Sequence, residues 1–516
     1  MKLALSSMIS DIDAFMVNER GVPIETLVDK SGEAVAACVR AHAPKNKPVL
    51  ILAGSGNNGA DGYSCAIKLM DEYDVTVYDV FGRGQKTRWG SELYDDFQKR
   101  GGKLQSYTPC EETKQFIKHA GCIVDAVFGT GFVGDMPTVI GELSVAIRES
   151  VESYKIAVDV PLGINADNGS VTDCAISVDC TVVLSFVKPG IISYPAKFYV
   201  GEIVYDSLGI NEPSVCDNFY FRYRMIDEAW TERNLPRRQS NSNKGTFGKL
   251  LVITGSEKYR GAAHLSVEAA LRGGVGLVTY VGPHSLCNEL SQKFPEVIFK
   301  PISPFSDLTD SELDELSALS SSHSATLIGS GSDNTDGLLK VTKALLDREG
   351  TPIILDADAI NALSTLCDDG VECIKNAKRE VILTPHPLEF ARLAEMDVSV
   401  VQLNRLGVAE SFALENKCVL VLKGAGTIVT NGDDVYINAV ASSSLAKAGS
   451  GDVLAGFLAA LLAQRNTSTV RACSLAVYFH SVAGVSLADE FSSYGVTPSH
   501  LPREIARQIS LVEKKK

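Results

Sequence analysis

Short, continuous apolar runs alternate with amphipathic stretches along most of the chain. In the first part, helical patterns such as 61–70 and 91–100 separate these runs, which occupy residues 48–53, 75–80, 122–128, 155–160 and 180–186. The runs are rich in valine and isoleucine and do not alternate with polar residues, which is typical of strands covered on both faces. Strands that alternate with helices predict a parallel, three-layer α/β sheet.

The same alternation returns after an interruption between residues 211 and 243. Within this interruption, 235–243 is polar and without a period, whereas 219–224 alternates and could pair as an edge strand of either domain. The second set of predicted strands comprises 249–254, 277–281, 325–328, 352–355, 380–383, 419–422 and 427–430, and the last two form an antiparallel meander with 434–437. We therefore predict two three-layer α/β/α domains, at 1–215 and 245–516, joined by a linker or edge segment at 216–244.

Composition and net charge bear on the binding partners and the cellular compartment of the protein. The chain has 516 residues, 45% hydrophobic and 22% charged, and a formal net charge of −14. A negative field of this size argues against nucleic acid or an anionic membrane as the main partner. The 12 cysteines include no CxxC pair, and several lie in apolar segments. They are interpreted as core residues of a reducing compartment, so a cytoplasmic enzyme is expected.

A glycine-rich turn from Gly54 to Gly62 follows the first strand and precedes a helix. Glycine permits positive φ and close backbone approach to a ligand, and a helix start offers free N–H groups. The asparagines and the aspartate within the turn could bind a cation or ribose hydroxyls, although such a turn can also be only a tight connection. Further polar loops, 125–131, 159–163 and 188–190, follow other strands, at the edge where open α/β sheets bind ligands.

These motifs together resemble the YjeF N-terminal domain, the NAD(P)H-hydrate epimerase, over about residues 8–210. The resemblance implies a Rossmann-like fold with Asp159 and Lys188 as catalytic residues. It implies potassium bound by Asn58 and Asp125, with Leu162, which stands where the family usually has serine, contributing only its backbone. It also implies a substrate site formed by Asn57, Asn58, Gly59, Ala60, Asp61, Gly129, Thr130, Gly131, Phe132, Val133, Gly134, Asp135 and Asp159.

A second candidate site combines two glycine-rich segments of the second domain. Gly449-Ser-Gly-Asp452 opens an apolar helix, and donors at a helix start suit a phosphoryl group. Asp452 is then placed to deprotonate a substrate hydroxyl, although it could also serve only as a helix cap. The run from Lys423 to Thr427 could hold phosphates or form a hairpin turn. His386 lies between two prolines and is either structural or a ligand contact.

These loops resemble the YjeF C-terminal, ribokinase-like domain, the nucleotide-dependent NAD(P)H-hydrate dehydratase, over about residues 235–510. The resemblance implies that Asp452 is the catalytic base and that Mg2+ accompanies the nucleotide. It implies ADP or ATP binding by Lys423, Gly424, Ala425, Gly426, Thr427 and Gly451. It places the hydrated dinucleotide near Ala262, Gly331, His386 and Asp452.

The order of the two domains is similar to that of bifunctional NAD(P)H-hydrate repair enzymes across nearly the whole chain. This similarity implies epimerisation of R- and S-NAD(P)HX and nucleotide-dependent dehydration of S-NAD(P)HX to NAD(P)H. NADHX and NADPHX are then the expected small-molecule partners, and a homo-oligomer is expected. The alternative is a ribokinase-superfamily small-metabolite kinase with a non-catalytic N-terminal binding domain. The choices between ADP and ATP, and between NADHX and NADPHX, stay open.

Overall fold

The computed structural model describes residues 1–82, 84–131, 136–210, 213, 215 and 217–516. The chain forms two compact units, an N-terminal unit, Lys2–Phe221, and a C-terminal unit, Arg222–Lys516 together with Met1. Both units contain a mainly parallel sheet with helices packed on it, which confirms the predicted α/β class.

The N-terminal unit contains a seven-stranded sheet of order β4-β3-β2-β5-β6-β7-β8, and all of its pairs are parallel. The strands of this sheet are β2 (Val49–Ala53), β3 (Val75–Asp79), β4 (Lys103–Ser106), β5 (Cys122–Ala126), β6 (Tyr154–Val158), β7 (Cys180–Leu184) and β8 (Glu202–Asp206). The two-residue strand β1 (Lys2–Leu3) precedes them in the chain and is not part of this sheet. Its helices are Ser6–Asn18, Ile24–His42, Asn57–Leu69, Arg88–Lys99, Glu111–His119, Thr138–Glu149 and Pro189–Ile192, with a 3-10 turn at Ala196–Phe198.

Strand β2 shows why the apolar run at 48–53 does not alternate with polar residues. Val49 and Ile51 pack into the hydrophobic cluster on one face of the sheet, and Leu50 and Leu52 pack into the cluster on the other. All four side chains are fully buried. Because both faces are covered by helices, successive residues of the strand must all be apolar.

The C-terminal unit contains the strand order β9-β18-β17-β16-β15-β14-β13-β10-β11-β12. Its strands are β9 (Tyr223–Ile226), β10 (Lys249–Ile253), β11 (Leu277–Pro283), β12 (Ile298–Ile302), β13 (Ala325–Ile328), β14 (Ile353–Leu355), β15 (Val381–Leu383), β16 (Val419–Leu422), β17 (Ile428–Thr430) and β18 (Val435–Asn438). The predicted meander is confirmed, because β16, β17 and β18 pair antiparallel. The alternating segment at 219–224 contributes to β9, which pairs parallel with β18.

Helices and 3-10 turns cover this second sheet. The helices are Glu228–Asn234, Arg260–Arg272, His284–Lys293, Asp310–Ser322, Asp336–Leu346, Asp358–Thr365, Gly370–Lys375, Pro387–Leu393, Val398–Leu403, Arg405–Glu415, Ser450–Ala463, Thr469–Gly495 and Leu501–Glu513. The 3-10 turns are Lys244–Phe247, Phe305–Asp307, Ser443–Leu445 and Pro498–His500. Thr469–Gly495 is long and apolar enough to cross a membrane, yet 78% of its most apolar window is buried inside the protein, as in a core helix.

Strand order also fixes where ligands are expected. In the N-terminal unit the chain runs from β2 outward to β4, then returns to β5 and proceeds the other way. In the C-terminal unit the same reversal occurs between β10 and β13. Loops diverge at such a point and leave a crevice at the carboxyl ends of the strands.

The helix Ser450–Ala463 packs closely on the helix Arg260–Arg272 through Gly456. A Cβ atom at Gly456 would lie 2.2 Å from the carbonyl oxygen of Ser266. We expect Gly456→Ala to lower the free energy of unfolding by about 1–3 kcal/mol, because backbone must move to relieve the clash. Urea denaturation of the full chain measures the change.

Gly261→Ala is the matched control, because a Cβ atom at Gly261 in the neighbouring helix would meet nothing within 4 Å. This variant should be neutral or more stable by up to about 1 kcal/mol, given the helix propensity of alanine. Equal destabilisation by the two substitutions would contradict the packing argument.

Candidate functional site

A cavity of about 440 Å³ lies at the strand-order reversal of the N-terminal unit. It is lined by residues from the loops after β2, β5, β6 and β7, as expected for the carboxyl edge of a parallel sheet. Eight of the residues predicted for the first site line it: Asn57, Asn58, Asp61, Gly129, Thr130, Gly131, Asp159 and Lys188. Gly59 and Ala60 are buried beside it in the first turn of a helix, and Phe132, Val133, Gly134 and Asp135 lie outside the described residues.

The glycines of the first loop serve close packing of the protein backbone on itself and do not use the positive φ that glycine permits. None of the glycines from Gly54 to Gly62 has a positive φ. A Cβ atom at Gly54 would lie 1.9 Å from the Val127 carbonyl oxygen, and one at Gly59 would lie 1.9 Å from the Gly54 carbonyl oxygen. Ala60 is fully buried inside the helix Asn57–Leu69 and has no positive φ, so its methyl group fits here without backbone strain.

Asp159 and Lys188 form an ion pair at the wall of the cavity. Lys188 is fully buried, and its Nζ donates to Asp159 Oδ1 and, at 2.9 Å, to the carbonyl oxygen of Leu184. The backbone N–H of Leu184 also donates to Asp159 Oδ1, at 3.1 Å. Asp159 has a φ of 68°, a left-handed conformation that non-glycine residues rarely adopt. The fold therefore holds this carboxylate in one strained position beside a buried cation.

Two further carboxyl groups complete the charge cluster. Burial raises the pKa of Asp61 well above its usual range, and the Asp159 charge adds to this effect. Burial also raises the pKa of Asp13 to about 6, while the Lys188 charge opposes the rise and the Asp159 charge adds to it. At neutral pH the cluster thus holds carboxyl groups that keep or exchange a proton next to an ion-paired carboxylate.

Asp13 lines the cavity but was not predicted as a site residue. It belongs to the helix Ser6–Asn18, whose buried residues are Ile9, Ile12 and Met16. An acidic residue one position from this apolar stripe is the signal that sequence reasoning could have used.

The predicted potassium ligands are Asn58, Asp125 and Leu162. Asn58 donates its amide N–H to the Phe128 carbonyl at 2.9 Å, which leaves its Oδ1 as an acceptor. Asp125 is buried and accepts the backbone N–H groups of Val127 and Leu162 at 3.2 and 2.7 Å. Burial raises the pKa of Asp125 to about 6 despite these bonds. A buried carboxylate and an amide oxygen are the types of donor that a monovalent cation takes.

Leu162 contributes to this region through its backbone. Its side chain is fully buried in the hydrophobic cluster with Ile140 and Ile176. Its N–H orients Asp125, and its carbonyl already accepts the Ile176 N–H at 3.2 Å. Leucine therefore supports the carboxylate here by packing and by one hydrogen bond.

Asp356 joins four loops of the C-terminal unit. It is almost completely buried and accepts the hydroxyls of Ser330 and Thr384, both at 2.7 Å, and the Lys423 ammonium at 3.1 Å. These residues follow β13, β14, β15 and β16, so the carboxyl ends of four neighbouring strands meet at one carboxylate. Ala357, next in the chain, has φ 45° and ψ −108°, a strained conformation that this network must hold.

Asp452 lies in the first turn of the helix Ser450–Ala463. Burial and the charge of Asp356 raise the pKa of Asp452 to about 7, although the Lys423 ammonium opposes the rise. A Cβ atom at Gly451 would lie 3.4 Å from Lys423 Nζ, so the ammonium stands beside the helix start. The site thus combines a base that titrates near neutrality, a cation and the N–H groups of a helix start.

Carboxylates keep Lys423 charged. Burial lowers the pKa of Lys423, but the charges of Asp356, Glu389 and Asp452 outweigh burial and raise it overall. The backbone N–H of Lys423 donates to Pro385 at 2.9 Å, and its carbonyl accepts from Arg405 at 3.0 Å. The lysine is therefore anchored at both main-chain groups while its ammonium faces the acidic cluster.

The rest of the predicted nucleotide loop forms a tight turn between β16 and β17. Gly424 and Gly426 have φ of 141° and 64°, so glycine is required at both positions. The Thr427 hydroxyl donates to the Gly424 carbonyl at 2.9 Å and closes the turn. The hairpin interpretation and the phosphate-binding interpretation are thus compatible, because the same glycine turn forms the hairpin and holds Lys423 with its ammonium at the site.

The predicted dinucleotide contacts lie in the first turn of the helix Arg260–Arg272, which carries Ala262, and in the loops after β13 and β15, which carry Gly331 and His386. Ala262 and Gly331 touch, because a Cβ atom at Gly331 would lie 2.5 Å from the Ala262 Cβ. His386 caps the helix Pro387–Leu393, and its Nδ1 accepts the N–H groups of Leu388 and Glu389 at 3.1 and 3.2 Å. His386 is therefore structural through Nδ1, and the Nε2 of its half-exposed ring lies 3.4 Å from Glu389 Oε1.

Sequence reasoning missed His480, which lies behind the helix start. Its Nε2 lies 3.0 Å from the Ser450 carbonyl oxygen and 3.2 Å from the Ser450 hydroxyl. Burial lowers the pKa of His480 to about 4, so the ring is neutral at physiological pH. A histidine within the buried apolar part of the helix Thr469–Gly495 is the signal that marks it.

Family models match both units. The model described as NAD(P)H-hydrate dehydratase matches residues 250–507, and the model of the YjeF-related protein N-terminus matches residues 24–190. A protein of Moorella thermoacetica named bifunctional NAD(P)H-hydrate repair enzyme Nnr is 32% identical, over 94% of this chain and 92% of its own length. The chain belongs to this family of bifunctional repair enzymes.

Other relatives cover the chain to the same extent. The proteins of the same name from Thermosynechococcus vestitus and Thermanaerovibrio acidaminovorans are both 30% identical, over 93% and 95% of this chain and 92% and 94% of their own lengths. Among solved structures, the ADP/ATP-dependent NAD(P)H-hydrate dehydratase of Bacillus subtilis, co-crystallised with ATP/Mg2+, is 27% identical. It covers 55% of this chain and 97% of its own, with a TM-score of 0.48.

The cap formed by His386 makes stability depend on pH. Only the neutral ring can accept at Nδ1, and burial, aided by the charges of Lys423 and Arg392, lowers the pKa of His386. The cap is therefore complete above the unfolded-state pKa and is lost as pH falls through the lower folded-state pKa. At pH 8 we expect His386→Ala to lower the free energy of unfolding by about 1 kcal/mol.

The difference in the free energy of unfolding between His386→Ala and the native chain should become smaller below a pH of about 6.5, because the native chain then loses the same cap. Urea denaturation across pH measures this difference. His386→Asn is the control, since asparagine caps helices well and should keep most of the stability at every pH. A deficit that does not change with pH would refute the capping role.

Proposed function

We propose that this chain repairs hydrated nicotinamide coenzymes through two separate sites. The N-terminal site interconverts R- and S-NAD(P)HX, and the C-terminal site uses ADP or ATP to dehydrate S-NAD(P)HX to NAD(P)H. The proposal assigns the epimerase to residues 1–215 and the dehydratase to residues 245–516. The observation that carries it is Asp452, a carboxyl group with a pKa of about 7 beside Lys423 at a helix start.

The dehydration begins with phosphoryl transfer. Asp452 takes the proton of the hydrate hydroxyl, and the hydroxyl oxygen attacks the terminal phosphoryl group of the nucleotide. Lys423 and the N–H groups near Gly451 stabilise the charge on the phosphoryl oxygens. The carbon–oxygen bond then breaks with phosphate as the leaving group, a ring proton is lost and the nicotinamide double bond returns.

The acidic cluster around Lys423 fits a hard divalent cation. Burial and the charges of Asp356 and Asp358 raise the pKa of Glu389, and the Lys423 charge opposes the rise. Carboxylate oxygens are the ligands that Mg2+ prefers. Asp358 and Glu389 are the residues proposed to hold it. When bound, Mg2+ neutralises charge on the nucleotide phosphates.

The epimerisation needs an acid and a base at one carbon. The hydroxylated carbon is bonded to the ring nitrogen, which can expel the protonated hydroxyl as water, and water returning to the other face inverts the centre. We assign protonation of the hydroxyl to Asp13 and proton acceptance from the incoming water to Asp159, which Lys188 orients. Asp61 and the loop 129–135 bind the substrate, and potassium at Asn58 and Asp125 would balance the buried carboxylate.

The dehydratase assignment predicts a specific loss and a pH profile. Asp452→Asn should lower the rate of ADP- or ATP-dependent dehydration by about 10²–10⁴-fold, since the general base is removed. In the native chain the rate should rise with pH through about 7 and then level off, because Asp452 must be deprotonated. The assay follows the return of reduced-nicotinamide absorbance from S-NADPHX and S-NADHX.

Asp452→Asn should still interconvert the two epimers, which shows that the variant is folded. A chain that phosphorylates a small metabolite but restores no absorbance would support the kinase alternative and defeat the proposal.

The epimerase assignment is tested in the Asp452→Asn chain, where the S epimer is not consumed. Adding Asp159→Asn or Asp13→Asn should slow R-to-S exchange by about 10²-fold or more, because one proton-transfer partner is lost. Chromatographic separation of the epimers measures exchange with potassium present. Asp11→Asn is the matched control, since Asp11 is exposed on the same helix, and equal effects at Asp11 and Asp13 would contradict the assignment.

A further inference from the structure

A cluster of two thiols and one carboxylate lies in the C-terminal unit. The ligand atoms of Cys367, Asp369 and Cys373 are all within 4.8 Å of one another. Cys367 Sγ lies 2.8 Å and Cys373 Sγ 3.7 Å from the same oxygen, Asp369 Oδ1. Neither proposed reaction uses these groups.

The spacing suits a tetrahedral metal ion. Zinc–sulfur bonds of about 2.3 Å and zinc–oxygen bonds of about 2.0 Å imply ligand-to-ligand distances of roughly 3.5–3.8 Å. The cluster needs shifts of no more than about 1 Å to reach those distances. Two thiolates favour a soft or borderline ion over magnesium or calcium, which prefer oxygen ligands.

The surrounding charge supports such an ion. Lys343 Nζ lies 3.5 Å from Cys367 Sγ and 3.2 Å from Asp369 Oδ1. A divalent ion bound by two thiolates and one carboxylate carries a net charge of −1, which one neighbouring ammonium neutralises. Lys343 would then donate a hydrogen bond to a ligand, as outer-shell residues of metal sites do.

The segment that carries the cluster is held by backbone packing. Asp369 immediately precedes the helix Gly370–Lys375, and the Cys373 N–H donates to the Asp369 carbonyl at 2.9 Å. A Cβ atom at Gly370 would lie 2.0 Å from the Leu363 carbonyl oxygen, so this helix packs directly on the helix Asp358–Thr365. The fold thus positions Asp369 and Cys373 before any ion binds.

A fourth coordination position is available beside the cluster. A cavity of about 210 Å³ is lined by Cys367, Asp369, Ser364, Glu372 and Glu395 among others. Both cysteines are partly exposed, so an ion from solution can reach them. A water molecule in this cavity would complete a four-coordinate site.

We propose that Cys367, Asp369 and Cys373 form a binding site for one thiophilic divalent cation of the zinc class, with Lys343 as its outer-shell partner. On binding, each thiol loses its proton and forms a sulfur–metal bond, so two protons are released per ion. Affinity should therefore increase with pH.

Cobalt titration of the full, reduced chain tests the site. We expect thiolate-to-metal charge-transfer bands and the visible bands of tetrahedral cobalt, saturating at one ion per chain. Zinc should displace cobalt and magnesium should not. Cys367→Ser and Cys373→Ser should each abolish the bands, and Lys343→Gln should weaken binding by about 10-fold or more.

Cys110→Ser is the matched control, because Cys110 is an exposed thiol of the N-terminal unit, and it should leave the titration unchanged. Asp369→Asn keeps both thiols and should weaken binding without removing sulfur–metal bands, which guards against misfolded serine variants. Absence of the bands in the folded native chain would overturn the proposal, as would bands that persist in both serine variants.

Discussion

Both sites depend on a lysine paired with a carboxylate at the carboxyl edge of a parallel sheet, with one member of each pair almost completely buried. Lys188 with Asp159 and Lys423 with Asp356 are the two instances. Removing one member of such a pair would leave an uncompensated buried charge, which is far more costly than the pair itself. The loops that carry these residues are therefore fixed in place by electrostatics as well as by packing.

The two pairs are used differently. Asp159 is itself the proposed proton acceptor, and Lys188 with the Leu184 N–H fixes one of its oxygens. Asp356 is saturated by two hydroxyls and one ammonium, so it holds Lys423 in place while the reacting group is Asp452. In the N-terminal site Lys188 orients the base Asp159, whereas in the C-terminal site Asp356 orients Lys423.

Sequence reasoning located the strands buried on both faces, because their composition reflects that burial. It missed β4, β8 and β12, which lie at sheet edges and have mostly exposed or half-buried residues. An edge strand keeps polar residues, so its composition does not distinguish it from a loop. Asp452 was found because it stands inside a local glycine motif. Asp13 was missed because its one signal, an acidic residue beside an apolar stripe, lies in no glycine motif and does not show that the helix reaches the cavity. The catalytic roles of both residues stay predictions.

The division of the chain between Phe221 and Arg222 leaves both units on one polypeptide. Translation therefore delivers them in equal numbers, and a cell cannot adjust their ratio by changing expression. The balance between the supply and the consumption of the S epimer is therefore set by the turnover rate of each unit. Evolution can then tune the pathway only through individual side chains, such as the leucine that stands at position 162.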